Sequence, residues 1–229
     1  MFMPISAKTL DFLVENRLNN SRVWYQEHKT QYQELVLAPL AELVEQLAPT
    51  LREMDSKLVV EPRVDRSISR IYRDTRFSKD KTLYRDVMWL AFMRDKKIVY
   101  CPPGFFFEFS PSGFRYGCGY YSLPTDYMEA VRSLVLSHDR SFLRAQEVLQ
   151  RQPQFALEGE RYKRPHFPDA PPDEREWLER KGLSVNCNSK DWGLLFSEEL
   201  SHTLAEGFRQ LKPVYEFFLR ANTLAQTEK

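Results

Sequence analysis

Three cysteines, Cys101, Cys118 and Cys187, are too few and too irregularly spaced for a disulfide framework. The four histidines, His28, His138, His166 and His202, are scattered, and no Cys/His spacing matches a zinc site. The sequence therefore implies no metal and no cofactor. No apolar run approaches the roughly 20 residues that cross a bilayer. The opening MFMPISAKTLDFL lacks the basic start and long apolar core of a secretion signal. No phosphate-loop or dinucleotide fingerprint occurs, and Gly117-Cys118-Gly119 is too short for either. Glycines so placed in a strand let a neighbouring backbone or side chain approach. Net charge is only +1, which argues against a protein that coats nucleic acid over its whole surface and leaves a local patch open. Together these absences describe a cytoplasmic globular protein with no membrane partner.

What is present is ample apolar material. Hydrophobic residues make up 42% of the 229 and aromatics 14%, enough for a sizeable core. Ser6 caps a helix over residues 5–17, with Ile5 stapled onto Leu10. Helical spacing of Trp24, Tyr32, Leu35, Val36, Leu40, Leu43 and Leu47 predicts an amphipathic helix over 21–48, kinked at Pro39. Residues 66–74 and 86–93 read as strands, the second apolar on both faces and hence central. Residues 104–110 and 114–121 around Pro111-Ser112-Gly113 read as a hairpin. A helix follows Pro124, with Asp126 and Glu129 in capping-box spacing, and continues in pieces to about 150. Residues 151–195 are a proline-rich wrapping segment with helix at 174–181 and an edge strand at 183–186. A final helix capped by Ser197 bends at Pro213. The expected fold is α+β, a central antiparallel sheet of four or more strands flanked by N-terminal and C-terminal helices. It forms one domain over 1–229, with helices in 1–62, the sheet in 63–123, and helical and wrapping segments in 124–229.

The densest chemistry is RIYRDTRFSKDKTLYR, residues 70–85. Arg70, Arg73, Arg76, Lys79, Lys81 and Arg85 face only two carboxylates, Asp74 and Asp80. A covered strand would have to bury some of these cations without partners, which is costly. The stretch must leave the sheet near Asp74, with Phe77 anchoring a loop and Asp80 bonding backbone two residues on. In an architectural reading the two aspartates pin the arginines. In a binding reading the surplus cations, with Tyr84, converge on an anionic small molecule or nucleic acid, since arginine's fork matches oxyanions. In a catalytic reading Asp74 or Asp80 is general base or metal ligand in a hydrolase acting on a phosphate-containing substrate. Lys163-Arg164-Pro165 is a second, smaller basic site.

The motif Arg70 to Lys81, followed by Tyr84, resembles the signature of the domain-of-unknown-function 2461 family, conserved hypothetical proteins of bacteria and fungi. The resemblance extends to Asn19, Asn20, Trp24, Lys29 and Tyr32 upstream, and downstream to Gly117, Gly119, Pro124, Arg132, Gly159, Lys163, Arg164 and Pro165. Leu83 stands where the family tends to have proline, Arg85 where it has lysine, and Cys118 where a small residue is usual. The last departure argues against a catalytic thiol. The resemblance implies an α+β fold and no established activity. The leading expectation is an anion- or phosphoryl-ligand-binding protein using residues 70–85. The alternatives are the hydrolase and an interaction module without a small-molecule site.

Overall fold

The computed structural model describes residues 4–76, 78–120 and 123–227. The chain divides into two compact units. One comprises Met1–Phe92, Phe106–Arg115 and Ser189–Ala205; the other comprises Met93–Phe105, Tyr116–Asn188 and Glu206–Lys229. No helix among the described residues is long and apolar enough to cross a membrane.

Helix α1 (Ala7–Asn19) opens as expected, although a threonine closes its capping box: the Ser6 N–H donates to Thr9 Oγ1 at 3.1 Å. Ile5, just before the cap, is buried. The long kinked helix expected next is broken more thoroughly. It becomes α2 (Arg22–Glu27), α3 (Lys29–Tyr32), a π-helical turn at Gln33–Leu37, and α4 (Ala38–Met54). Pro39 is the cause. Lacking an N–H, it leaves the Leu35 carbonyl, four residues back, without a helical donor. The Ala38 N–H reaches back five residues to Gln33 instead, and the buried Thr9 hydroxyl donates to Leu35 O at 2.7 Å.

This substitution of one donor for another is testable. Thr9→Val should cost about 1–3 kcal/mol in urea denaturation, the usual loss when a carbonyl is left unsatisfied. In a Pro39→Ala background residue 39 regains its N–H, so the same change should cost less. Simple additivity of the two substitutions would show that Thr9 and Pro39 are not linked.

After α4 the expected strand at 66–74 does not form. Residues 67–69 only bridge strand β1 (Met88–Met93): Ser69 N–H donates to Trp89 O at 2.9 Å and Ala91 N–H to Ser67 O at 3.0 Å. The Ser69 hydroxyl itself accepts the Trp89 N–H at 3.0 Å, and the Ser67 hydroxyl that of Glu61 at 3.0 Å. Side-chain oxygens thus take donors that a ladder would need. Consequently β1 is an edge strand, not a central one. Met88, Leu90 and Phe92 are buried while Trp89, Ala91 and Met93 are half-buried.

Strands β2 (Gly104–Ser110) and β3 (Gly113–Gly119) make the expected hairpin; Tyr121 lies outside the described residues. With β4 (Ala156–Glu158) and β5 (Ser184–Ser189) they complete a five-stranded antiparallel sheet ordered β1-β2-β3-β5-β4. Strand β5 was expected at an edge. It lies inside the sheet because β4 pairs with it, Leu157 opposite Val185.

Helix α5 (Thr125–Leu136) is capped by Pro124, so the expected capping box does not form. Asp126 accepts the N–H of adjacent Tyr127 at 3.1 Å, and Glu129 instead pairs with Arg132. The remaining helices are α6 (Arg140–Arg151), α7 (Pro172–Leu178), α8 (Trp192–Leu195), α9 (Glu199–Gln210) and α10 (Lys212–Thr227). The last two break at Leu211, just before Pro213. Within the second unit the rings of Phe142, Trp177 and Phe217 pack together, Trp177 edge-on to both phenylalanines at 5.5–5.7 Å.

Candidate functional site: a tyrosine-lined cleft beside the basic stretch

The basic stretch lies wholly in the first unit. A single bridge, Tyr72 opposite Tyr84, closes its base, with Arg73 N–H donating to Leu83 O at 2.8 Å and Arg85 N–H to Ile71 O at 2.9 Å. That bridge is isolated from the five-stranded sheet, so the stretch does not leave the sheet near Asp74 as expected: it forms none of its strands. Phe77, the expected anchor, lies outside the described residues. Asp80 accepts the Thr82 N–H at 2.9 Å, the local turn foreseen for it.

Most of the cations have partners within the protein. Asp74 takes a two-pronged contact from Arg76, at 3.0 Å from Nε and 2.7 Å from Nη2. With the Arg76 backbone N–H added, these bonds hold its carboxyl down at about 2. Asp80 pairs with Arg73 at 2.9 Å and with Arg17 of α1 at 3.5 Å. Hydrogen bonds from Thr82, then those cations, lower its pKa too. Arg17 also pairs with Asp86. Lys81 Nζ donates to Thr75 O at 2.7 Å. Arg85 donates to Tyr72 O at 3.1 Å and lies 4.5 Å over the Trp89 ring. Lys79 is exposed. Such internal pairing is what an architectural role for residues 73–85 requires. Asp74 and Asp80 are each committed to arginines, and among the described residues no group of three or more His, Cys, Asp or Glu is placed to hold a metal ion.

Arg70 differs from the rest. It turns to Asp65, at 2.8 Å from its Nε, with side chains 67% and 62% exposed respectively. It also lines a cleft of about 200 Å³. Three tyrosines, Tyr25, Tyr32 and Tyr72, line the cleft together with Leu37, Val64 and Ile71. Lys29, Gln33 and Arg70 supply its polar groups. The tyrosine rings pack in series: Tyr25 lies tilted 5.7 Å from Tyr32 and edge-on 5.4 Å from Tyr72. Burial, then neighbouring phenols, push Tyr25 up to about 12, and Tyr32 rises for the same reasons. The phenols therefore stay neutral at physiological pH and can donate hydrogen bonds. Tyr84, expected at the site, is fully buried, its ring 5.1 Å from Tyr25, and its phenol is pushed up to about 12.

Sequence reasoning missed Tyr25, Gln33, Asp65 and Arg17. Tyr25, Lys29, Tyr32 and Gln33 recur at i, i+4, i+7 and i+8, which puts four polar-tipped side chains on one helical face. That signal was available. The structure also brings two parts of the family resemblance together, Lys29 and Tyr32 with Arg70 and Tyr72.

The second basic site, Lys163 and Arg164, belongs to the second unit and is exposed. Around it the wrapping segment is pinned by buried charge. Arg132, its side chain 5% exposed, donates to Leu178 O at 3.1 Å, to Arg180 O at 2.9 Å and to the Tyr162 hydroxyl at 2.9 Å. Its guanidinium also faces the Tyr162 and Phe167 rings. Glu179 accepts the backbone N–H groups of His166 and Phe167 at 2.7–3.0 Å. Burial raises its pKa, but these donors outweigh burial and the carboxyl is lowered overall. Cys118 is buried and its thiol pushed up by desolvation, the opposite of an activated nucleophile.

The sequence profile described as conserved hypothetical protein (DUF2461) matches residues 8–217. No curated protein and no solved structure matches the chain.

Proposed function

We propose a small-anion-binding function for this chain, which belongs to the DUF2461 family of conserved hypothetical proteins. The ligand carries a phosphoryl or carboxylate group and sits in the cleft of the first unit. One observation carries this reading: Lys29 and Arg70 both line the cleft, beside Gln33, three tyrosines and aliphatic side chains. Two cations on one concave surface attract an oxyanion. Arg70's present partner is an exposed carboxylate, and exposed pairs of this kind contribute little. Its guanidinium is therefore more available to a ligand than that of Arg73, whose side chain is 24% exposed. The ligand then sits not on the 73–81 loop, whose two arginines are paired with Asp74 and Asp80, but on the residues flanking its base.

Calorimetric titration with phosphate and carboxylate ligands tests this. Binding should weaken as salt rises through the range where exposed charges are screened. The double substitution Lys29→Met and Arg70→Met, which keeps much of the side-chain volume, should reduce affinity tenfold or more. If this variant binds as the parent does, the cleft is not the site.

A further inference from the structure

We infer that the ligand is a single aromatic ring bearing an oxyanion, and that this oxyanion takes the place of Asp65 on Arg70. The inference rests on the anion-binding reading and names its ligand class. Size comes first. An apolar cavity of about 150 Å³ holds benzene, so a cleft of about 200 Å³ has room for one ring and a substituent but not for a dinucleotide. Lining comes second. A bare inorganic anion would satisfy Lys29 and Arg70 but leave the exposed parts of Tyr72 and Val64 uncovered; Tyr25 and Tyr32 are already buried. Tyr72 and Val64, both cleft residues, are 43% and 37% exposed. A ring laid against Tyr72 and Val64 would cover them, meeting Tyr72 in the offset or edge-on geometry such pairs favour.

Asp65 supplies the third observation. It follows Val64 directly and adopts a left-handed backbone, φ 66°. From that turn its carboxylate reaches Arg70 Nε at 2.8 Å. The arginine thus already holds one oxyanion, contributed by the protein itself. Because both side chains are mostly solvent-exposed, breaking their pair costs little, and the ring contacts help a ligand carboxylate or phosphate to replace Asp65 on the guanidinium.

The test compares ring-bearing with ringless anions on the full chain: phenyl phosphate against inorganic phosphate, and benzoate against acetate, by calorimetry. Each ring ligand should bind at least tenfold more tightly than its ringless counterpart. Asp65→Asn removes the competing charge and keeps a residue at ease in the left-handed region. It should tighten phenyl phosphate and benzoate threefold or more. Asp65→Gly, which adopts the same backbone freely, should do likewise. Equal affinity for ringed and ringless anions overturns the ligand class while leaving the anion reading in place. A ring preference with no gain in either Asp65 variant overturns the displacement. Failure of all four anions to bind any of the proteins overturns the anion reading itself.

Discussion

Arg132→Met should lower the stability of the protein by about 3–5 kcal/mol, the range for breaking a buried charged network. The substituted side chain fills much of the same space but donates nothing. Leu178 O and Arg180 O lose their donor, as does the Tyr162 hydroxyl its partner. Each orphaned buried carbonyl costs about 1–3 kcal/mol. The ion pair with Glu129 adds little, since that carboxylate is 63% exposed. For a chain of this size the loss corresponds to a fall in melting temperature of roughly 10 °C. Arg132→Lys should recover little of it, because one ammonium cannot span both carbonyls and the hydroxyl. Urea denaturation reads the effect, and a loss under about 1 kcal/mol in Arg132→Met would mean the network holds nothing.

Gly117→Ala should be at least as damaging. A methyl group there would meet the Val185 carbonyl far inside contact distance and lie 2.7 Å from Asn186 Oδ1. Both neighbours belong to β5, and one of them is backbone, which cannot step aside without opening the β3–β5 pairing. The expected loss is about 3 kcal/mol or more, the upper range for overpacking. Gly182→Ala is the control. Open space surrounds that position, so the same added methyl should leave stability within about 0.5 kcal/mol or raise it slightly. Equal effects at the two positions would remove the steric explanation.

How far the sequence foretold these features depends on the range of the interaction behind each. The β2–β3 hairpin and the close approach at Gly117 and Gly119 were legible, because alternation, a Pro-Ser-Gly turn and a missing side chain are local signals. That the charged residues beyond Asp74 form no strand was also legible, because burying unpaired guanidinium groups is costly in any fold, but the strand expected before them at 66–74 does not form. The π-helical turn was not. Pro39 marks the break, but the Thr9 hydroxyl that satisfies Leu35 O comes from another helix, which no local pattern records. Strand β5 was misplaced at an edge for a similar reason: the short β4 that covers it carries almost no periodic signal.

The candidate site was only half legible. Residues 70–85 stood out by charge density, yet density does not say which carboxylate each cation finds. Asp74 and Asp80 served Arg76 and Arg73 as expected, whereas Arg70 turned to Asp65, outside the stretch. Tyr32 was counted in the apolar stripe because its ring has that period. Its hydroxyl and the neighbouring Lys29 gain meaning only when the chain returns at Arg70 to Tyr72.

The proposed function requires that this cleft, and not the charged loop beyond it, receives the ligand. A crystal structure of the protein with phenyl phosphate would locate the anion. The ring should lie against Tyr72 and Val64, with phosphate oxygens within hydrogen-bond distance of Lys29 and Arg70, and Asp65 turned away from Arg70. Phosphate bound instead on Arg73, Arg76, Lys79 or Lys81, or at Lys163 and Arg164, with the Asp65–Arg70 pair intact, would contradict it.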